Sequence, residues 1–216
     1  MERHRTILFD FDGVIADSFA AAFGTAQKHC MHQTETSYRE LFEGNIYRSY
    51  DEMVGTAQDH SECNHAIDWW STFSSLFDDN KGLFEEMDVI IKKLAEDYRL
   101  IIISSSVHKV IEPFLKTHGL DGCFASIYDA EVHRSKSEKI AMAFEKHGFG
   151  PNDCVMITDS KGDILEARAK DVASIGVTWG FNDYNVLLSG DPWRIVRLPS
   201  EIPNAVTEFF KSKAHA

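Results

Sequence analysis

The chain has 216 residues, 44% hydrophobic and 26% charged, which is enough for one substantial core plus a smaller unit and argues against disorder except at the ends. A formal net charge of −12, with 22 basic residues and no dense basic run, excludes general DNA or RNA binding while leaving room for a local cationic pocket. No apolar run approaches a membrane span, and Met1 to Arg5 lead into a strand too short for a signal-peptide core, so a cytoplasmic protein with no membrane partner is expected.

The first element is an apolar strand at Leu8-Phe9 that ends in Asp10-Phe11-Asp12-Gly13-Val14-Ile15. Alternate residues of a strand share a face, so both carboxyl groups stay near one point if the chain remains extended. Two acids there repel each other and lose hydration unless a cation or a protonation change compensates them. Gly13 lets the backbone turn tightly beside a ligand. A helix follows from Ala16 to about Cys30, and Ser37-Tyr38-Arg39-Glu40 reads as a capping box that starts another. A further helix from about His65 to Phe77 places Ala66, Trp70, Phe73 and Phe77 along one stripe. That spacing makes Trp69, Trp70, Phe73 and Phe77 mainly core residues of a small bundle, with an aromatic ligand box as the alternative.

From Lys81-Gly82 the pattern changes. Met87, Ile90, Ile91 and Leu94 form a helical stripe, and Leu100 to Ile103 is a strand buried on both faces that ends in Ser104-Ser105-Ser106. The next helix, to about His118, is expected in two pieces because Pro113 cannot donate a hydrogen bond. A weak strand at Ser126 to Tyr128, a helix at Ser137 to Gly148, and a strand at Val155 to Thr158 opening into Asp159-Ser160-Lys161-Gly162-Asp163 come next, before short strands at Ser174 to Val177 and Ile195 to Arg197. This alternation predicts an α/β protein: a Rossmann-like parallel sheet with helices on both faces, formed by residues 1–15 and 82–216, with a helical insertion at 16–81. The four cysteines, Cys30, Cys63, Cys123 and Cys154, make no C-x-x-C pair and are read as free thiols. His29-Cys30-Met31-His32 has near-metal spacing at a helix end, where histidines are generally solvated, and is left out of the chemistry.

Ligands of such sheets lie outside the carboxyl ends of the strands. Asp10, Asp12, Ser104, a basic group from the Arg134 to Lys139 stretch, Asp159 and Asp163 all fall at that edge. Four acids in one crevice call for a divalent cation, and a small set of oxygen ligands suits Mg²⁺. A hydroxyl and an ammonium beside it suit a phosphoryl group.

Asp10-Phe11-Asp12-Gly13-Val14, Ser104 after its apolar strand, Lys136, and Thr158-Asp159 with Asp163 resemble the four motifs of the haloacid dehalogenase superfamily, in order and over nearly the whole chain. The helical insertion resembles the cap of its phosphoglycolate phosphatase and β-phosphoglucomutase-like branch. The resemblance implies that Asp10 is the nucleophile and forms an aspartyl-phosphate. Asp12 would be the acid and base, and its backbone carbonyl, set by Gly13, would bind Mg²⁺. Ser104 and the Ser105 N–H would hold a phosphoryl oxygen, Lys136 would neutralise nucleophile and transferring group, Asp159 would ligate the metal, and Asp163 would orient Lys136 or a metal-bound water.

Two positions depart from the family pattern. Thr158 stands where glycine is usual and is expected to narrow the metal site. Arg134-Ser135-Lys136-Ser137 replaces Lys-Pro-x-Pro, and we place Lys136 rather than Arg134 at the lysine position because a compact ammonium suits the role. Asp12 argues against a dehalogenase, and a cap with only Lys28 before Lys81 argues against Schiff-base phosphonate hydrolysis. The expected function is Mg²⁺-dependent hydrolysis of a small phosphorylated metabolite, with phosphoglycolate the leading example. A sugar phosphomutase and a non-catalytic metal- or phosphate-binding sensor are the alternatives. Specificity is assigned to Glu43-Gly44-Asn45 with Arg48, whose guanidinium could bind a substrate carboxylate. The sequence leaves the oligomeric state open.

Overall fold

The computed structural model describes residues 5–56, 63–64 and 66–214. Among the described residues, six strands pair in parallel: β1 (Thr6–Phe9), β2 (Arg99–Ile103), β3 (Phe124–Tyr128), β4 (Cys154–Thr158), β5 (Ala173–Val177) and β6 (Arg194–Val196). Their order across the sheet is β3-β2-β1-β4-β5-β6. The strand order therefore reverses at β1, where Phe9 lies opposite Ile102 on one side and Ile157 on the other. A crevice opens at such a reversal, outside the carboxyl ends of the flanking strands.

The apolar runs cover both faces of the sheet. Ile7, Phe9, Ile102 and Ile157 join one buried cluster, and Leu8, Ile101, Ile103 and Met156 join the other, as the two-residue period of a strand requires. Among the described residues, four helices, α1 (Phe19–His29), α2 (Glu35–Glu40), α3 (Ile46–Thr56) and α4 (Trp69–Leu76), precede the helix that leads into β2, and α2 to α4 form a helical cap region. The remaining helices are α5 (Met87–Asp97), α6 (His108–Thr117), α7 (Lys136–His147), α8 (Lys161–Arg168), α9 (Tyr184–Ser189) and α10 (Ile202–Ala214). Among the described residues, no helix is long and apolar enough to cross a membrane.

Local chemistry shifts several expected boundaries. The capping box that starts α2 belongs to Thr34, whose hydroxyl accepts the Ser37 N–H at 3.1 Å while the Ser37 hydroxyl accepts the Thr34 N–H at 3.1 Å. Ser37 is thus the third residue of the helix rather than its cap, and α2 ends near where the sequence pattern expected it to be under way. Helix α4 starts at Trp69 because the Asp68 carboxylate caps it through the Ser71 N–H at 3.1 Å; the expected start at His65 lies outside the described residues. Helix α6 is continuous through Pro113, correcting the expected break. Pro113 and Lys109, whose carbonyl would pair with residue 113, lie on the exposed face where water can serve that carbonyl, while Val110, Ile111, Phe114 and Leu115 pack inward.

The free-thiol expectation fails for one pair. Cys30 and Cys63 form a disulfide across 33 residues of sequence, whereas Cys123 and Cys154 are free. The chain leaving α1 runs antiparallel to the segment holding Cys63, and the Asn64 N–H bonds the His29 carbonyl at 2.6 Å, which brings the two sulfurs together. No spacing motif records this contact.

Candidate active site

The carboxyl ends of β1, β2 and β4 deliver the acids and serines to one place. The Asp10 N–H continues the sheet by bonding the Ile157 carbonyl at 2.9 Å. Its carboxylate lies 2.7 Å from the Lys136 ammonium, which also meets Asp163 at 2.6 Å. Lys136 is only 2% exposed, so both contacts act in a weakly screened environment. It is the first residue of α7, held there because the Ser135 hydroxyl caps the helix and Glu166 accepts both the Ser135 hydroxyl at 2.8 Å and the Lys136 N–H at 3.0 Å. Arg134, the other basic candidate, lies at the rim with its side chain 70% exposed.

Asp10, Asp159 and Asp163 each offer an oxygen within 4.8 Å of the other two, and all three are buried. Burial raises Asp10 well above the usual carboxylate range, and Asp163 and Asp159 reinforce the effect against the opposing pull of Lys136. Asp159 is pushed up to about 7, chiefly by burial and further by Asp163, although its Oδ2 accepts the Phe181 N–H at 2.6 Å. Asp163 goes the other way. Burial favours its neutral form, but Lys136, Asp10 and Thr158 together hold it below the usual range. Lys136 itself is held charged, because Asp10 and Asp163 outweigh its own desolvation. Three carboxylates facing one ammonium leave excess negative charge in a dry place, and an all-oxygen donor set fits a hard divalent cation.

Asp12 is turned away from this cluster. Its carboxylate accepts Ser18 Oγ at 2.8 Å and Ser106 Oγ at 2.6 Å, and burial raises its pKa despite those bonds. Gly13 has φ +71°, and a Cβ there would overlap the Asp159 carboxylate; Gly180 is constrained by Asp159 in the same way. Ser104 is fully buried, its hydroxyl accepting the Ser106 N–H at 2.9 Å. Ser105 and Ser106 line the open space above it.

That space is a cavity of about 410 Å³ between cap and sheet. The cap is seated on the core by named contacts. Tyr47 donates to the Ser105 carbonyl at 2.8 Å, Asn45 to Glu166 at 3.1 Å and to the Arg134 carbonyl at 3.3 Å, and Lys161 pairs with Glu43 at 3.0 Å. Arg39 donates to the Phe181 carbonyl and lies over the Phe19 ring, 3.7 Å from its centroid. Asn45 thus spans cap and core without lining the cavity, and Arg48 is exposed and outside the lining as well. Trp69, Trp70 and Phe73 do line it, whereas Phe77 stacks on Phe114 at 5.6 Å.

Several contributors were not evident from the motifs. Ser18 and Ser106 orient Asp12, and only the run Ser104-Ser105-Ser106 hinted at the latter. Thr158 donates its hydroxyl to Asp163 at 2.7 Å, so its polar group enters the network directly. Lys139 is fully buried and donates to the Ser104 carbonyl; burial and then Lys136 bring its pKa down to about 8. Its position one helical turn after Lys136 places it on the same face, which was a readable signal.

The profile of haloacid dehalogenase-like hydrolases matches residues 7–177. The chain is 24% identical to a phosphoglycolate phosphatase of Synechococcus elongatus over 96% of its own length and 99% of that protein's. It is 26% identical to the pyrophosphatase PpaX of Oceanobacillus iheyensis, over 95% and 98% respectively. Among solved structures, a hydrolase from Pseudomonas syringae superposes with a TM-score of 0.76 at 16% identity, covering 94% of this chain and 98% of that one. A haloacid dehalogenase-like family hydrolase from Streptococcus pneumoniae gives 0.72 at 23% identity, covering 95% and 99%. With its acids at the rim of a β3-β2-β1-β4-β5-β6 sheet beneath a helical cap, the chain belongs to the haloacid dehalogenase-like hydrolase family.

Proposed function

We propose that the chain is a Mg²⁺-dependent phosphomonoesterase that hydrolyses small phosphorylated metabolites through an aspartyl-phosphate on Asp10. The observation that carries this reading is the convergence of Asp10, Asp159 and Asp163 within 4.8 Å, with the buried Lys136 ammonium against two of them. Mg²⁺ held by Asp10, Asp159, Asp163 and the Asp12 carbonyl would offset the charge of the phosphoryl group. Residues 16–81 then serve as the cap and 1–15 with 82–216 as the catalytic core.

Each chain residue has a definable part. An Asp10 oxygen attacks phosphorus as the bond to the leaving oxygen breaks, and Lys136 fixes the nucleophile and meets the transferring charge. Asp12 gives its proton to the leaving oxygen. Burial raises its pKa, which favours the protonated form this step needs, and Ser18 and Ser106 fix its orientation. In the second half, Asp12 takes a proton from water, whose oxygen attacks phosphorus and releases the Asp10 carboxylate. The Ser105 N–H and the Ser104 hydroxyl complete the phosphoryl cradle, Gly13 allowing the close turn beside it. The closed cap excludes bulk water.

Phosphate release from p-nitrophenyl phosphate tests this. Release that needs Mg²⁺, stops with a chelator and falls about 10³-fold or more in Asp10→Asn is expected. Undiminished turnover in Asp10→Asn would overturn the mechanism, and binding without release would favour a sensor. The names of the curated relatives make phosphoglycolate and pyrophosphate the first metabolites to assay.

A further inference from the structure

The cavity has two unlike ends. One carries the acids and Lys136; the other is walled by Tyr38, Phe42, Tyr47, Trp69, Trp70 and Phe73 from the cap. At about 410 Å³, phosphoryl end included, it falls in the roughly 300–1,000 Å³ range of pockets that enclose ligands much larger than a two-carbon acid.

A carboxylate on the leaving group would need a cation at the aromatic end, because burying that charge against rings is costly. Each basic group near this space is engaged elsewhere. Lys136 is held between Asp10 and Asp163. Arg134 does line the space, but at its rim, where its side chain is 70% exposed, 4.0 Å from Asp51 and 5.2 Å from the centre of the Tyr47 ring, so that its charge is spent largely on solvent. Arg39 is committed to the Phe19 face and the Phe181 carbonyl, a His29 ring nitrogen lies 3.2 Å from the Tyr50 hydroxyl, and Arg48 is outside the lining. Asp51, which does line the cavity, would repel a second anion.

We propose that this site selects phosphomonoesters whose leaving group is bulky, uncharged and aromatic, in preference to short anionic ones such as phosphoglycolate. The inference rests on the phosphomonoesterase reading and adds the identity of the group beyond the scissile bond. Rings presented edge and face, such as Trp70 and Phe73 at 5.9 Å and 74°, favour a planar guest, which gains both area burial and ring contacts.

The test compares 1-naphthyl phosphate, phenyl phosphate and 2-phosphoglycolate. Calorimetric binding to Asp10→Asn with Mg²⁺ removes any influence of leaving-group reactivity, and kcat/KM on the unaltered enzyme is measured alongside. Binding of 1-naphthyl phosphate about ten-fold or more tighter than either of the others is expected, since one buried apolar increment alone is worth that much. In an Asp10→Asn background, Trp70→Ala should erase the naphthyl-over-phenyl ratio, and Trp70→Phe should keep most of it. Phosphoglycolate binding as tightly as the naphthyl ester, or a ratio unchanged by Trp70→Ala, would overturn the proposal. If Trp70→Ala does not fold, the three ligands on Asp10→Asn decide by themselves. Selective binding with no turnover of any ester would sink the phosphatase reading and leave the aromatic preference standing.

Discussion

Lys136 ties two carboxylates to one ammonium, yet burial still raises Asp10 and pushes Asp159 up to about 7, and this has a measurable sign. Without a cation, a carboxyl whose folded pKa is raised stabilises the fold below its unfolded value near 3.8, and that contribution disappears as pH rises to about 7 for Asp159. Asp10 adds to the same trend, while the depressed Asp163 acts oppositely in a lower window, losing its contribution as pH falls below the usual carboxylate range. Metal binding needs the ionised acids and displaces their protons, so it reverses the trend. The Tm of metal-free protein should therefore fall between about pH 4 and pH 7 relative to Asp159→Asn, and added Mg²⁺ should raise it more at pH 8 than at pH 6. Equal Mg²⁺ stabilisation at both pH values would contradict this linkage. Asp10, Asp12, Asp159 and Asp163 were legible in sequence because each follows closely on an apolar strand, where a bare charge has no ordinary reason to be. Thr158 and Ser106 were not, because their meaning depends on a partner supplied by another strand or helix; the spacing of Lys139 puts it on the face of Lys136, but its burial against the Ser104 carbonyl depends on a neighbour from another strand.

At the level of elements, the central strands β1, β2 and β4 were readable from their continuous apolar runs, since in the middle of a sheet covered on both faces nearly every side chain is buried. The helices were readable in type and less so at their ends. Thr34 outcompetes Ser37 as the cap of α2, and α6 absorbs Pro113 because a single lost bond on an exposed face costs less than unpacking Phe114 and Leu115. The Cys30–Cys63 disulfide could not be read, because it depends on how the end of α1 meets a remote segment. Closing a loop over 33 residues should stabilise by about 3–4 kcal/mol in the chain-entropy account. Dithiothreitol, or Cys63→Ser, should accordingly lower Tm by several degrees and speed proteolysis between residues 30 and 63; unchanged protection on reduction would show that the bridge does not restrain the cap.

For the whole molecule, the order of the sheet places the site and the cap closes it. Polar contacts fasten one to the other through Asn45, Tyr47, Arg39 and the Glu43–Lys161 pair. Removing the Asn45 amide by Asn45→Ala forfeits a bond to the Glu166 carboxylate and another to the Arg134 carbonyl, a loss of about 2–3 kcal/mol from the closed arrangement. A fall in kcat/KM of about ten-fold or more is expected, with tryptophan emission shifted to the red as Trp69 and Trp70 meet water; unaltered emission and efficiency would show that closure does not depend on this fastening. Beside it, the backbones of Gly44 and Gly162 meet so tightly that a Cβ on Gly162 would collide with the Gly44 carbonyl. The lid therefore shuts backbone against backbone, like a valve ground to its seat, and a single methyl at that point would be grit in the joint: the chamber could still fill, but it would leak.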